Sequence, residues 1–107
     1  MLIGGFEFMN IYIEIEKILT KLQYFDLHFV SHDTFTNTYA YDGYLDTFYR
    51  IHVSLVDEQK MEIWDCVYDE ENFVRAGIAH LVKGTWEIIE VKWTPSSRQL
   101  FYKFKVH

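Results

Sequence analysis

Five histidines, His28, His32, His52, His80 and His107, are the side chains best suited to acid–base work near neutral pH. A catalytic histidine also needs an orienting carboxylate and a nucleophile or second base within hydrogen-bond reach. His32 precedes Asp33 directly. His52 falls opposite Asp65 if residues 48–56 and 61–67 form a hairpin tipped at Glu58-Gln59, a register that also sets Asp57 beside Lys60 and Val53 beside Trp64. No serine, cysteine or second base completes either pair, so both read as cross-strand polar contacts. His52, Asp65, His80 and His107 remain the catalytic candidates. No histidine spacing matches a known metal-ligand pattern, and the single Cys66 cannot supply a zinc site with them. The five glycines are scattered, so no phosphate-cradling loop is expected, and no cofactor or metal is assigned.

Contact chemistry is better represented than catalysis. Trp64, Trp86 and Trp93 join eight tyrosines and nine phenylalanines, an aromatic share of 19%. That is more ring area than one small interior is expected to hide, and the surplus is expected on a partner or a second copy of the chain. With Lys83-Gly84 as a turn, 73–82 pairs with 85–93, giving Ile78–Ile89, Ala76–Val91, Val74–Trp93 and His80–Glu87. Trp86 then pairs with Leu81 on the opposite face, near Ile88 and Trp64, as the centre of an outer apolar patch. Asp69, Glu70 and Glu71 occupy another hairpin tip, where carboxylates can imitate phosphates in a partner's basic groove.

Charge and composition narrow the function classes. The net charge is −6, against non-specific nucleic-acid binding. Residues 1–82 carry five basic and fourteen acidic side chains, while 83–107 carry five and two, so phosphate contact is confined to the basic C-terminal end. Half the residues are hydrophobic and 24% are charged, which excludes a disordered chain. A lone cysteine allows no internal disulfide and fits a reducing cytoplasm. No apolar run approaches membrane-spanning length.

The elements follow from periodicity. Ile11, Ile15, Ile18, Leu19 and Leu22 recur at helical spacing behind Asn10, a capping residue, so 10–24 reads as an amphipathic helix. The preceding MLIGGFEF, before a second Met9, reads as a short strand, a disordered leader or an upstream start. Residues 27–32 and 34–44 read as strands, the second ending at the turn dipeptide Asp42-Gly43. After the two hairpins above, 100–106 alternates as a last strand with one wet face. Gly77, inside a strand, marks a bulge or a close backbone approach. The expected architecture is one α+β domain over residues 1–107, an N-terminal helix on a curved antiparallel meander of five or six strands.

Tyr49-Arg50-Ile51, Asp57, Ala79-His80 and Lys92-Trp93, within YRIHVSLVDEQKMEIWDCVYDEENFVRAGIAHLVKGTWEIIEVKW, resemble small TumE-type members of toxin–antitoxin systems. Such proteins continue with Asp-Asn and a Pro-His-His tail. Here Thr94-Pro95-Ser96-Ser97 stands instead, and only His107 closes the chain. If the toxin chemistry needs that tail, the resemblance implies the fold without the activity. The expected role is a small acidic interaction protein, an inhibitor, neutralising partner or toxin–antitoxin component of a microbial or viral conflict system. The alternatives are an RNA-acting toxin-like enzyme, and a small-ligand binder with a pocket between helix and sheet lined by Tyr39, Tyr41, Tyr49 and Trp64.

Overall fold

The computed structural model describes the backbone of residues 3–45, 47–66 and 73–97, and the side chains of residues 11–44, 49–66 and 73–97. The chain is a helix followed by a six-stranded antiparallel meander, an open sheet with strands in sequence order. The helix α1 spans Ile3–Lys21, and the strands are β1 (His28–Asp33), β2 (Thr38–Leu45), β3 (Thr47–Asp57), β4 (Lys60–Cys66), β5 (Phe73–Val82) and β6 (Thr85–Val91).

Helix α1 begins at Ile3, so Asn10 lies inside it rather than capping it. Nothing after Gly4-Gly5 opposes helix, and glycine is cheapest in a first turn. The other end is set by backbone geometry. The Tyr24 amide donates to the Leu19 carbonyl at 2.9 Å and the Gln23 amide to the Thr20 carbonyl at 2.9 Å. Those two bonds form a Schellman cap, with Gln23 at φ 71° in the left-handed position that glycine prefers. The helix therefore stops before the expected residue 24, and Tyr24 turns back under Leu19. Gln23→Gly should stabilise the fold by about 1 kcal/mol, read as a higher urea midpoint, because a side chain in that region is disfavoured by roughly that amount.

The helix covers one face of the sheet. Ile15, Ile18, Leu19, Leu22 and Tyr24 pack on Tyr39, Tyr41, Tyr49, Ile51, Val53, Met61, Ile63, Ala76, Ala79 and Trp86. On β3 and β4 every inward residue has an odd number, so the two strands must pair odd with odd. A plain two-residue turn at Glu58-Gln59 pairs odd with even and would split the core between faces. The chain resolves the conflict with a bulge at Val56: Asp57 faces Lys60 as expected, but Val53 then faces Ile63 and His52 faces Trp64. The second hairpin does the same at Ile89. His80–Glu87 and Leu81–Trp86 pair as expected, after which Ile78 faces Glu90 and Gly77 faces Val91. Further bulges sit at Val30 in β1 and Ala76 in β5, and a bulge bends its strand and increases the local twist.

Two other expectations change. Asp42-Gly43 lies within β2 rather than in a turn, with Asp42 paired to Arg50 and Gly43 under the Tyr49 ring; a Cβ there would lie 3.0 Å from the Tyr49 hydroxyl. The turn before it is Asp33 to Asn37, where the Asp33 carboxylate accepts the Phe35 amide at 2.9 Å. The expected strand at 100–106 lies outside the described residues. Before it, Thr94 opens a helical turn, its hydroxyl and the Ser97 hydroxyl each accepting the other's amide, with Pro95 at the first position.

Candidate functional site

A buried carboxylate joins the helix to the far end of the sheet. Asp65, at 0% exposure, continues the inward series Met61, Ile63, Asp65 of β4. Its Oδ2 accepts the Tyr24 hydroxyl at 2.8 Å and the Trp93 indole N–H at 3.0 Å. Tyr24 follows the helix cap and Trp93 follows β6, so one side chain ties together three separated segments. Solvent does not reach it, and the arrangement is that of a structural tie.

The catalytic candidates do not converge. The bulge at Val56 moves His52 opposite Trp64, and Asp65 opposite Ile51. Since neighbouring residues of a strand point to opposite faces, His52 lies on the outer face while Asp65 lies beneath the helix. His52 stacks on Phe73 with ring centroids 4.6 Å apart. His80 sits between Lys60 and Glu87 on the flanking strands. His107 lies outside the described residues, as do Asp69, Glu70 and Glu71. His32 turns from Asp33 to Asn37, whose Oδ1 is 2.7 Å from its Nε2, and stacks on Tyr39 at 3.9 Å. Among the described residues no three His, Cys, Asp or Glu side chains gather as a metal site requires, and no helix is long and apolar enough to cross a membrane.

The tryptophans divide between faces differently from the expected patch. Helix α1 covers the face carrying Leu81 and Trp86, so Trp86 is a core residue at 7% exposure and Ile88 packs against the same cluster. Of the expected patch residues Trp64, Trp86 and Ile88, Trp64 alone is on the outer face, between His52 and Arg75. The arginines of that face are answered by carboxylates. Arg50 forks onto Asp42 at 2.7 and 3.1 Å, and Arg75 lies 3.2 Å from Glu90 and 3.7 Å from Glu62. Such a face is a poor phosphate binder.

The expected ligand space is filled by rings. Tyr39 meets Tyr12 edge-on at 5.4 Å, Tyr41 meets Phe29 at 5.6 Å, and Tyr49 lies 6.1 Å from Tyr24. Trp64 is on the other side of the sheet and lines nothing with them. Burial raises the Tyr41 pKa well above the ordinary tyrosine value, and the Glu16 carboxylate adds to the effect. A groove of about 310 Å³ opens elsewhere, beside the helix cap, lined by Glu16, Leu19, Thr20, Tyr24 and Leu27 among others.

Large apolar side chains are exposed at both edges of the sheet, Ile89 and Val91 of β6 at 52% each, and the most exposed of all lies at the β1–β2 tip. Phe35, at the tip of the β1–β2 hairpin, is 97% exposed; Phe29 and Val30 on β1 are each 46% exposed, and Ile13 on the helix is 50% exposed. The Tyr12 ring meets Phe29 at 5.4 Å, so helix α1 lies over this edge. β1 pairs only with β2 among the described residues, leaving a row of backbone groups on its outer side. Pattern reading missed this region because Phe29 belongs to an ordinary strand and Phe35 to a turn. The available signal was a phenylalanine inside the polar turn sequence Asp33-Thr34-Phe35-Thr36-Asn37, where no core can reach it. Comparison with protein-family models, curated proteins and solved structures finds no match, so a functional reading rests on this geometry and on the sequence.

Proposed function

We propose that the chain is a non-catalytic protein-interaction module of the inhibitor, neutralising-partner or toxin–antitoxin-component kind, engaging another protein through the β1 edge and its hairpin tip. The fully presented Phe35 ring carries the reading. A phenylalanine in water forgoes the roughly 1.5–3 kcal/mol that burial would contribute, and a contact is where that free energy is recovered. Phe29 and Val30 on the adjoining strand β1 are exposed as well, and aromatic anchors dominate binding at protein interfaces. The conflict-system assignment is supported by the resemblance of residues 49–93 to TumE-type proteins and by the acidic charge.

Phe35→Ser tests the reading. The substitution is remote from the core and should change stability by less than about 0.5 kcal/mol. Capture of a partner from the host by the tagged protein should fall at least tenfold, because a central aromatic anchor contributes about 2 kcal/mol or more. Undiminished capture by Phe35→Ser would contradict it, as would RNA cleavage by the purified protein that His52→Ala or His80→Ala abolishes.

A further inference from the structure

We infer that β1 is the seam of a symmetric dimer, in which two copies pair antiparallel along this edge and join their sheets into one. The inference rests on the interaction-module reading and names a second copy of the chain as one partner. Its basis is the self-complementarity of His28–Asp33. Placed antiparallel to itself with the two-fold axis between Val30 and Ser31, the strand sets His28 opposite Asp33, Phe29 opposite His32 and Val30 opposite Ser31.

The faces agree with that register. Phe29 pairs with Tyr41 and His32 with Tyr39 within the protomer, so both lie on the helix side; His28 pairs with Asp42 and Asp33 with Thr38, so both lie on the outer side. Like faces therefore meet across the seam. The exposed Asp33 carboxylate can accept the His28 imidazole N–H of the other copy, and Phe29 can stack on the His32 ring. The axis runs through the sheet, placing both helices on the same side.

Among the described residues the sheet ends at β1 and β6; both edges expose apolar side chains, Ile89 and Val91 on β6 as well as Phe29 and Val30 on β1, but they differ in charge. Each carries a bulge, at Val30 and at Ile89, which blunts pairing. β6 adds the exposed charge of Glu87, with exposed Lys92 just beyond it, whereas β1 has no lysine, proline or glutamate and a single acid at its last position. Negative charge on β6 opposes a second copy; β1 offers matched groups. A seam of one six-residue strand lies at the small end of specific interfaces, below about 1,200 Å² in total, so association should depend on concentration.

Sedimentation velocity across a roughly hundredfold range of protein concentration tests this, with circular dichroism confirming that each variant is folded. The wild type should pass from monomer to dimer. Val30→Lys, an exposed position, should weaken the dimer at least tenfold, and His28→Asp, which opposes two carboxylates, should do the same. His28→Lys, which keeps a donor facing Asp33, should retain it. A wild type that stays monomeric throughout, or a dimer indifferent to both Val30→Lys and His28→Asp, would overturn the seam. Phe35-dependent capture of another protein in that case would leave the module reading standing, so the two failures are separable.

Discussion

Asp65→Ala should cost about 3 kcal/mol of unfolding free energy, the largest effect expected of a polar substitution among the described residues. The alanine removes the carboxylate that accepts from the Tyr24 hydroxyl and the part-buried Trp93 indole N–H, and a hydrogen bond to a charged group contributes about 1.5–3 kcal/mol. Both donors also anchor segments that other contacts hold less firmly: Tyr24 fixes the chain just past the helix cap, and Trp93 fixes the chain leaving β6. Asp65→Asn keeps an acceptor oxygen and should cost less than half as much. Urea denaturation of the two variants beside Tyr24→Phe checks the ordering, with Tyr24→Phe expected to lose about 1–2 kcal/mol. An alanine variant as stable as the wild type would show that the carboxylate holds nothing in place.

Gly77→Ala should be nearly as damaging, at about 2 kcal/mol. A Cβ at Gly77 would sit 2.7 Å from the Glu90 carbonyl oxygen, far inside van der Waals contact. The obstructing atom is backbone, so no rotamer change relieves it; β6 must move away from β5. Gly77 follows the bulge at Ala76 directly and pairs with Val91, just past the bulge at Ile89. The Ala76 carbonyl there also accepts the Lys92 and Trp93 amides at 2.8 and 3.2 Å. Displacing β6 would therefore disturb the seat of Trp93 and, through it, the contact to Asp65. That connection predicts that Gly77→Ala and Asp65→Ala are less than additive in a double-mutant cycle. Full additivity, or a Gly77→Ala variant of wild-type stability, would contradict the close approach.

Much of the fold was legible because turns announce themselves locally. Lys83-Gly84 and Glu58-Gln59 lie at the expected hairpin tips, and the spacing of Ile15, Ile18, Leu19 and Leu22 set the buried stripe of the helix. The expected position of Gly77 at a bulge or close backbone approach also holds. Registers were less legible, since a bulge is a tertiary compromise that no local motif marks. Its necessity can nevertheless be read from parity: Ile51, Val53, Met61 and Ile63 are all odd-numbered, and a plain two-residue turn cannot bring them to one face. One missing residue in that count separated His52 from Asp65 and dissolved the apparent acid–base pair.

The candidate site is hidden in sequence for a related physical reason. Asp65 stands in the inward series of β4, and an acid at a core position is itself a signal of buried hydrogen-bond partners. Those partners, Tyr24 and Trp93, are remote in sequence and cannot be paired by pattern. Nothing local states which face of β6 a helix covers, so Trp86 reads from sequence as an outer residue. The exposed rings are not the expected ones: Trp86 is inside, while Phe25, Phe29, Phe35 and Tyr44 are exposed.

Hydrogen exchange on the wild-type protein at low and high concentration asks most directly whether this chain works through its first strand. The account predicts that amides of β1 gain protection as concentration rises, while those of β6, the opposite edge, remain as they were. Protection that is unchanged along β1, or gained along β6 instead, would contradict it.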